Sequence, residues 1–368
     1  MTKTHDLAVV GAGFAGLAAA KAAAAHGLDV VVLDRQSHAG ARVRTTGILV
    51  KEAAEEAPIP QQLVRSIRRV RLYAPNLRRF DLASPGYYFL VTETHGLMRW
   101  FANRTKALGA QLRWGETFND ARIDGDRVVI ESAGLAARML IGADGPRSEV
   151  ARRFGLGVNR AFLVGAEAEI EGVRGIDDCL HVFLDRELAP GYIAWVVPAP
   201  NGVAQVGLAC RPPARPNLAK FIEKAGRVFD FSDARIVGRR GGPIPVGGRV
   251  SPIANQHVLL AGDAAGLVSP LTAGGIHTAL HYGRLAGRAA AAWLEGKGPP
   301  PGTVMEHEYP RFRWKRTMRG AADRMMPDPL VDAMIGLPPM RRLARLVFFH
   351  TRGLASAEAW RDVFRGEG

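Results

Sequence analysis

The sequence predicts an α/β fold in which a parallel-sheet unit is interrupted by an inserted, mainly antiparallel β-sheet and followed by a helical C-terminal tail. Three observations predict it. An apolar strand, a glycine-rich turn and an alanine-rich helix occupy residues 6–25. An apolar strand followed by glycines returns at residues 259–280. Between these two stretches, residues 157–249 have the pattern of successive short strands, with an Asn-Gly hairpin signal between two of them.

The 368-residue chain has a formal net charge of +14. Such an excess favours anionic partners such as nucleic acid, lipid headgroups or phosphorylated substrates, and it also serves solubility. The sequence contains no nucleic-acid-binding motif, so we expect no nucleic-acid partner. The strand-like run from Asp6 argues against a signal peptide, and no apolar run approaches the ~20 residues that span a bilayer. We therefore expect a cytoplasmic protein.

The two cysteines, Cys179 and Cys210, have neither a redox spacing nor a metal-binding spacing. We expect both to be buried free thiols, which fits a reducing compartment. The sequence predicts no metal site.

Residues 6–35 follow the order strand, glycine-rich turn, helix, strand and acid. Gly11 permits a tight turn, Gly13 lets the backbone approach a pyrophosphate, and Gly16 lets the helix pack closely on the strand. The helix N-terminus offers free N–H groups and positive partial charge to phosphates. Asp34 can accept hydrogen bonds from a ribose hydroxyl. The segment predicts dinucleotide binding; the alternative is a packing turn with a surface aspartate.

The stretch LLAGDAAGLVSPLTAGGIHTAL at 259–280 indicates which dinucleotide is bound. It resembles the second FAD fingerprint of the glutathione-reductase-like flavoproteins, whose FAD-binding domain is Rossmann-like. The resemblance implies that Asp263 contacts the ribityl chain of FAD. It also implies that Gly274, Gly275 and Ile276 present backbone N–H groups to the isoalloxazine ring. A helix dipole at this position would stabilise negative charge on reduced flavin.

A third element, MLIGADGPRSEVARRFGL at 139–156, resembles the DG motif of flavin hydroxylases and reductases. Asp144 lies there at a strand-to-helix turn, and the alternative is an ordinary Asp-Gly turn. The full set of predicted FAD contacts is Gly11, Gly13, Phe14, Ala15, Gly16, Asp34, Arg35, Arg42, Thr45, Thr46, Gly47, Asp144, Asp263, Gly274, Gly275 and Ile276.

Because the three cofactor motifs are spread along the chain, the domains must be discontinuous. The predicted FAD-binding domain comprises residues 1–60, 94–156 and 250–300. The predicted substrate domain comprises residues 61–93 and 157–249, and a helical segment follows at 301–368.

The three motifs, in this order and spacing, resemble the geranylgeranyl reductase branch of the para-hydroxybenzoate-hydroxylase-like superfamily over residues 1–300. The resemblance implies bound FAD and the reduction of isolated C=C bonds in isoprenoid chains, often on lipids. PGYIAWVVPAPNGVAQVGLA resembles the substrate-strand motif P-x-x-Y-x-W-x-F-P of that family. Both prolines and Trp195 match this motif, whereas Ile193 replaces its tyrosine and Val197 its phenylalanine.

The predicted pocket residues are Trp195, Tyr192, Thr45, Thr46 and His277, and no general acid or base is assigned. Trp195 is either a pocket wall or a core aromatic. Because a strand alternates faces, Tyr192 should point away from the Trp195 face. Thr45 and Thr46 lie where the family's reductases often have a cysteine, and they could hydrogen-bond the flavin. His277 either faces the flavin or is an ordinary helical histidine.

We therefore predict an FAD-dependent oxidoreductase that reduces or dehydrogenates C=C or C–C bonds of an apolar, isoprenoid-like substrate by hydride transfer at flavin N5. The main alternative is a flavin monooxygenase that hydroxylates an aromatic or polyketide-like substrate. A non-redox cyclase and a halogenase are weaker alternatives. Lys51 is of the type that halogenases use, but Ile193 occupies the first tryptophan position of their W-x-W-x-I-P motif. The electron donor is open: NAD(P)H could act through the DG region, although no second GxGxxG is present.

The stretch at 340–350 predicts an amphipathic helix. Its expected apolar face consists of Met340, Leu343, Ala344, Val347 and Phe348. One interpretation is a helix that binds an anionic membrane surface, supported by six arginines between Arg65 and Arg79. The other is a helix packed on the FAD domain with its arginines in solvent.

Overall fold

The computed structural model describes residues 3–55, 58–325, 328–334 and 337–349. The strands are β1 (Thr4–Val10), β2 (Val30–Asp34), β3 (Ile48–Val50), β4 (Val64–Ile67), β5 (Arg69–Tyr73), β6 (Arg79–Ala83), β7 (Phe89–Thr92), β8 (Gln111–Trp114), β9 (Arg122–Asp124), β10 (Arg127–Ile130), β11 (Leu135–Gly142), β12 (Phe162–Glu171), β13 (Cys179–Phe183), β14 (Ala194–Pro198), β15 (Val203–Cys210), β16 (Arg235–Pro245) and β17 (Val258–Leu260). The α-helices are α1 (Phe14–Ala24), α2 (Lys51–Glu55), α3 (Thr94–Lys106), α4 (Glu149–Arg153), α5 (Leu218–Ala225), α6 (Ile276–Leu294), α7 (Pro301–Glu308), α8 (Arg313–Met325), α9 (Asp328–Met334) and α10 (Pro338–Phe349).

The chain divides into two compact units, each made of three segments. The first unit comprises Met1–Val43, Thr94–Phe162 and Ile244–Arg316. The second unit comprises Arg44–Glu93, Leu163–Pro243 and Thr317–Gly368.

Two boundaries differ from the predicted domains. We expected residues 44–60 in the FAD-binding domain, but they belong to the second unit. The reason is that β3 pairs antiparallel with β7, which lies in that unit. The expected helical segment 301–368 is divided, with α7 in the first unit and α10 in the second.

The first unit is built on a seven-stranded sheet. Strands β8, β2, β1, β11 and β17 run parallel, while β10 and β9 form an antiparallel edge. Every residue of β2 is buried, as are the last four residues of β1. A parallel strand that is covered on both faces is apolar along most of its length, which explains these continuous apolar runs.

Helices α1 and α6 pack directly against each other in the first unit. A Cβ atom on Gly283 of α6 would lie 2.5 Å from the carbonyl oxygen of Ala15, and one on Gly287 would overlap the carbonyl of Ala19. Small residues on both helices therefore allow the two backbones to approach closely, which explains the alanine-rich composition of α1.

The second unit is built on another seven-stranded sheet, of order β16-β12-β15-β14-β13-β5-β6. The pairs β12–β15, β14–β15, β13–β14 and β5–β6 are antiparallel, whereas β13 and β5 are parallel. The turn Pro200–Gly202 joins β14 to β15, and Asn201 and Gly202 in it have φ values of 60° and 73°. The Asn-Gly pair thus supplies the positive φ that the hairpin requires, as its signal predicts.

The two faces of this second sheet have separate cores. On one face, Ala194 and Val196 pack with α5 residues such as Phe221. On the other face, Trp195 and Val197 pack with β7 and the end of α10. We call the latter the Trp195 face. Cys179 and Cys210 are free and fully buried, as predicted.

The position of α10 contradicts one interpretation of the C-terminal stretch, whereas its binding to a membrane surface stays a prediction. It packs on β6 in the second unit rather than on the FAD-binding domain. Leu346 and Phe349 are its buried residues, and neither belongs to the predicted apolar face. The guanidinium of Arg341 lies 5.4 Å from the ring centroid of Phe80, which helps to set this register.

Several of the arginines between Arg65 and Arg79 are engaged in ion pairs. Their acidic partners in the second unit are Asp81, Asp177 and Asp178. This pairing weakens the charge argument for a membrane surface. Within the described residues, no helix has the length and apolar character required to cross a membrane.

Candidate functional site

The three cofactor motifs lie side by side at one edge of the first sheet. The last residue of β1, Val10, is the register partner of Gly142 at the end of β11. Gly142 is in turn the partner of Leu260 at the end of β17. Open α/β sheets bind their ligands at the carboxyl ends of parallel strands. The fold thus brings together three turns that are widely separated in the sequence.

The glycine turn after β1 has the geometry that its spacing predicts. Gly11 has a φ of +102°, and a Cβ there would overlap the carbonyl oxygen of Ala143 in the neighbouring turn. A Cβ on Gly16 would overlap the carbonyl oxygen of Gly11. Gly13 differs, because no atom of the described residues beyond its own chain neighbours and the adjoining helix backbone lies within 4 Å of the position its Cβ would occupy. Gly11 and Gly16 therefore permit close packing of the backbone, whereas Gly13 leaves a space open.

That open space lies at the N-terminus of α1. Gly13 is its N-cap, and no side chain of the described residues caps the first turn. Phe14 and Ala15 are the first two residues of the helix. An uncapped helix N-terminus beside an open glycine is suited to bind a phosphate.

Asp34 lies at the end of β2 and is 9% exposed. One carboxylate oxygen accepts a hydrogen bond from the Ala12 N–H at 2.6 Å, and the other accepts one from the Gln36 N–H at 2.8 Å. The carboxylate therefore holds the glycine turn in place. Contact with a ribose remains a prediction for this residue.

The other predicted contacts after β2 divide between the two units. Arg35 and Arg42 are exposed in the first unit, where the Arg42 N–H donates to Gln36 Oε1 at 2.6 Å. Thr45, Thr46 and Gly47 belong to the second unit.

Asp144 forms the start of the turn after β11. Its carboxylate accepts hydrogen bonds from the Ser148 hydroxyl at 2.6 Å and from the Glu149 N–H at 2.7 Å. A third bond comes from the Val150 N–H at 3.1 Å. These bonds cap α4, so the structure gives Asp144 the local turn role that was the alternative interpretation, while a contact with FAD remains a prediction.

Asp263 lies in the turn after β17 and differs from the other two aspartates. Among the described residues, no group donates a hydrogen bond to its carboxylate, whereas its backbone carbonyl accepts one from Asn159. Burial raises the pKa of this carboxyl from 3.8 to about 6. A desolvated carboxylate without a protein donor indicates that a ligand supplies one. Hydroxyl groups of a sugar-like chain would serve.

The N-terminus of α6 lies close to Asp263. A Cβ on Gly275, the N-cap, would be 3.6 Å from Asp263 Oδ1. Among the described residues, no side chain caps the helix, and Ala273 just before it has a φ of 49°. A 19-residue helix beginning at Ile276 therefore directs its positive dipole end toward this region.

His277 lies in the first turn of α6. Its ring stacks with that of His281 one turn later, with centroids 5.9 Å apart. This contact fits the interpretation as a helical histidine, and its predicted place near a flavin remains untested.

Lys51 lies in the second unit at the start of α2, where its Nζ is 3.7 Å from Glu55.

In the second unit, two predicted pocket residues meet at a carboxylate that the sequence did not single out. The Trp195 indole N–H donates to Glu167 Oε2 at 2.8 Å, and the Thr46 hydroxyl donates to the same oxygen at 2.5 Å. Glu167 lies in β12 and is buried. The available signal was a run of glutamates at alternate positions of β12, namely 167, 169 and 171, because an ionised side chain inside a sheet requires partners.

Tyr192 lies outside β14, in a turn where its N–H donates to the Ala189 carbonyl. Because Tyr192 is not part of a strand, the alternation of strand faces does not determine where its side chain points. The guanidinium of Arg319 lies 5.5 Å from the ring centroid of Tyr192, and burial raises the pKa of the Tyr192 hydroxyl to about 12.

Thr45 Oγ1 accepts a weak hydrogen bond from the Gly47 N–H at 3.4 Å.

Comparison with known proteins identifies the family. The FAD-dependent oxidoreductase family matches residues 6–128. Digeranylgeranylglycerophospholipid reductase 2 of Methanopyrus kandleri is 35% identical over 310 residues, which cover 79% of this chain and 78% of that protein. The chain belongs to the geranylgeranyl reductase family. It is an FAD-dependent oxidoreductase, as the sequence predicts.

Solved structures of other proteins show the same fold. A geranylgeranyl bacteriochlorophyll reductase-like protein of Thermoplasma acidophilum superposes with a TM-score of 0.81 at 21% identity, covering 95% of this chain and 97% of its own. The halogenase PltM, solved with phloroglucinol and FAD, has a TM-score of 0.73 at 13% identity, covering 92% and 79%. The fold is therefore shared by reductases and halogenases, so the reaction must be inferred from other evidence.

The residues of the first unit fit FAD. The open space at Gly13 and the uncapped α1 would accept the pyrophosphate. The carboxylate of Asp263, which has no donor among the described residues, would accept ribityl hydroxyls, and the α6 N-terminus lies beside it.

Proposed function

We propose that this protein reduces C=C bonds in isoprenoid chains of a glycerophospholipid-like substrate. The observation that carries this proposal is the 35% identity, over most of both chains, to a relative named as a reductase of a digeranylgeranylglycerophospholipid. The fit of the first unit to FAD supports the redox chemistry. A matching fold in a halogenase does not count against it, because fold alone does not determine a reaction.

Bound FAD would supply hydride chemistry at N5. The chain's own contribution in the first unit is to bind and orient the cofactor. The α1 N-terminus would hold the phosphate charge, and Asp263 would fix the sugar-like chain. The α6 N-terminus would stabilise negative charge on the bound cofactor.

The second unit would recognise the substrate through the Trp195 face. Trp195 offers a flat apolar surface beside the buried core of Val197 and Phe89. An isoprenoid chain has no hydrogen-bonding groups, so its recognition depends on apolar contact and on exclusion of water. Trp195 is proposed as a wall of this binding surface.

A cytoplasmic location with peripheral attachment to a membrane completes the proposal. Met340, Leu343 and Val347 of α10 are only partly buried, and Arg345 is exposed. A helix with exposed arginines and partly exposed apolar residues is suited to an anionic lipid surface. A protein attached to that surface would meet its lipid substrate there. NAD(P)H is one candidate electron donor, and the donor is left open.

The test uses purified protein with its flavin reduced by dithionite under anaerobic conditions. Adding a phospholipid with two geranylgeranyl chains should restore the absorbance of oxidised flavin, and the product lipid should gain hydrogen at its double bonds. A phospholipid with saturated chains is the control and should leave the flavin reduced. If the unsaturated lipid also leaves it reduced while O2 produces a hydroxylated aromatic product, the protein is a monooxygenase.

A further inference from the structure

Glu167 is a buried charged residue for which the FAD chemistry described above has no use. It lies near the middle of β12, between Ala166 and Ala168, and is 4% exposed. A carboxylate in such a place is stable only if several donors surround it. Its partners therefore indicate what the residue does.

Three donors from three separate parts of the second unit converge on this carboxylate. Oε2 accepts the Trp195 indole N–H at 2.8 Å and the Thr46 hydroxyl at 2.5 Å. Oε1 accepts the Arg240 Nε–H at 2.6 Å. Arg240 also donates through Nη1 to Glu169 Oε1 at 2.9 Å, and its side chain is 6% exposed.

The indole of Trp195 is held from two sides. Its N–H is fixed by Glu167, while its six-membered ring covers Gly207 of β15. A Cβ on Gly207 would lie 2.6 Å from Trp195 Cζ2. The ring can occupy this place only because the position is glycine, and the bond to the carboxylate fixes its N–H.

We infer that Glu167 is a positioning residue that fixes the Trp195 ring and the Thr46 hydroxyl for binding of the isoprenoid chain. This inference rests on the proposed function, in which Trp195 forms a wall of the substrate site. The bond to Glu167 uses the only proton of the Thr46 hydroxyl, so the Thr46 oxygen presents lone pairs and accepts hydrogen bonds.

A purely electrostatic role does not account for this arrangement. Arg240 would keep a carboxylate partner without Glu167, because Glu169 on the same strand also binds it. Trp195 and Thr46 are 28 and 121 residues away from Glu167 in the sequence. Because both groups donate to one oxygen, that oxygen fixes the orientation of each. A glutamate that only neutralised Arg240 would not need these two bonds.

The first experiment observes the resting protein. The indole ¹H–¹⁵N resonance of Trp195 is assigned by its loss in Trp195→Phe and is then recorded in Glu167→Ala and Glu169→Ala. We expect Glu167→Ala to shift this resonance upfield and to accelerate its exchange with solvent, because a bond to a carboxylate is lost. Glu169→Ala is the matched control, since it removes a carboxylate from the same strand and the same arginine. An unchanged resonance in Glu167→Ala overturns the inference.

The second experiment follows reoxidation of the reduced flavin by the geranylgeranyl phospholipid at increasing lipid concentration. In Glu167→Ala the half-saturating concentration should rise roughly tenfold, while the limiting rate changes less than about threefold. Glu167→Gln keeps an acceptor for the indole and should recover most of the loss. In a Trp195→Phe background, Glu167→Ala should have an effect of less than about threefold.

The outcomes distinguish a failure of the proposed reductase function from a failure of the role inferred for Glu167. If the wild-type flavin is not reoxidised by the lipid at all, the proposed function fails, and the resonance experiment still tests whether Glu167 positions Trp195. If the wild type reacts and Glu169→Ala is as impaired as Glu167→Ala, the role is electrostatic and the inference is wrong. An equal loss with and without Trp195 overturns it as well.

Discussion

The two units prepare their binding surfaces by different means. In the first, the groups available to a cofactor are backbone N–H groups at the starts of α1 and α6, left uncovered by Gly13 and Gly275. In the second, polar side chains from distant segments converge on Glu167. Where backbone N–H groups bind a ligand directly, a larger side chain at the neighbouring glycine occupies the space of the ligand. A network of side-chain hydrogen bonds can instead lose one member and keep the others. Substitutions should therefore have abrupt effects in the first unit and graded ones in the second.

The largest effect is expected at the glycine turn of the first unit. Gly16→Ala places a Cβ on the carbonyl oxygen of Gly11. We expect it to lower the free energy of unfolding by more than about 3 kcal/mol, measured by urea denaturation, and to yield protein without flavin. Gly13→Ala is the matched control: its Cβ would lie within 4 Å of no further atom of the described residues, so stability should persist while FAD affinity falls at least about tenfold. Equal stability loss in both variants would contradict this distinction.

A second test compares how the units respond to acid. His181 of β13 is fully buried, with Nδ1 3.0 Å from the Tyr73 hydroxyl and Nε2 3.0 Å from Asp177. Burial lowers its pKa from 6.5 to about 4, despite the opposing charge of Asp177. The unfolded chain therefore binds the proton more readily, and stability should fall as the pH falls from 6.5 toward 4, by roughly 3 kcal/mol.

The measurement is urea unfolding at several pH values in the wild type and in His181→Asn. The variant should lose stability much less steeply over this interval, even if it is less stable at neutral pH. Replacing exposed His307 by asparagine is the control and should leave the slope unchanged. A parallel slope in wild type and His181→Asn would show that this histidine is not responsible.

Asp263 of the first unit should have the opposite pH dependence. Its pKa is raised by burial from 3.8 to about 6, so the folded chain binds the proton more readily than the unfolded one. In flavin-free protein, this contribution should lower stability as the pH rises from 4 to 6, by about 2 kcal/mol. Asp263→Asn should abolish this contribution in the same urea measurements. If the substitution leaves the slope unaltered, Asp263 does not titrate in this interval.

The smallest effect concerns α10. Arg345 is exposed, and an arginine near an anionic bilayer contributes about 1 kcal/mol. Arg345→Glu should therefore weaken sedimentation with anionic vesicles at low salt at least about fivefold. Arg160→Glu makes the same change of charge at an exposed site of the first unit and should have less effect. Equal weakening would indicate a response to net charge instead of a surface formed by α10.

The difference between the units also explains what could be predicted from the sequence. Gly11, Gly13 and Gly16 act through local backbone geometry, so their spacing alone predicts the turn that the structure contains. The role of Glu167 could not be predicted, because its partners Thr46 and Trp195 come from distant segments that only the folded sheet brings together.

The packing of the C-terminal helix α10 is a second feature that the sequence alone could not predict. Its short amphipathic sequence contains two apolar stripes, one through Leu343 and Val347 and one through Leu346 and Phe349. The periodicity favoured the first, but packing on β6 buries the second. Which stripe is covered depends on the neighbouring strand, including Phe80 beneath Arg341, and not on the helix itself.

The close contact between α1 and α6 has a consequence for biosynthesis. Ala15 leaves the ribosome early, whereas Gly283 follows only when most of the chain has been translated. A nascent chain that ends before Ile276 has the phosphate-binding turn but lacks the helix that packs on α1, so its flavin site is incomplete. Contacts of such long sequence separation also slow folding. Arrested chains shorter than α6 should therefore emerge without flavin, and the cell would supply the cofactor to a nearly complete polypeptide.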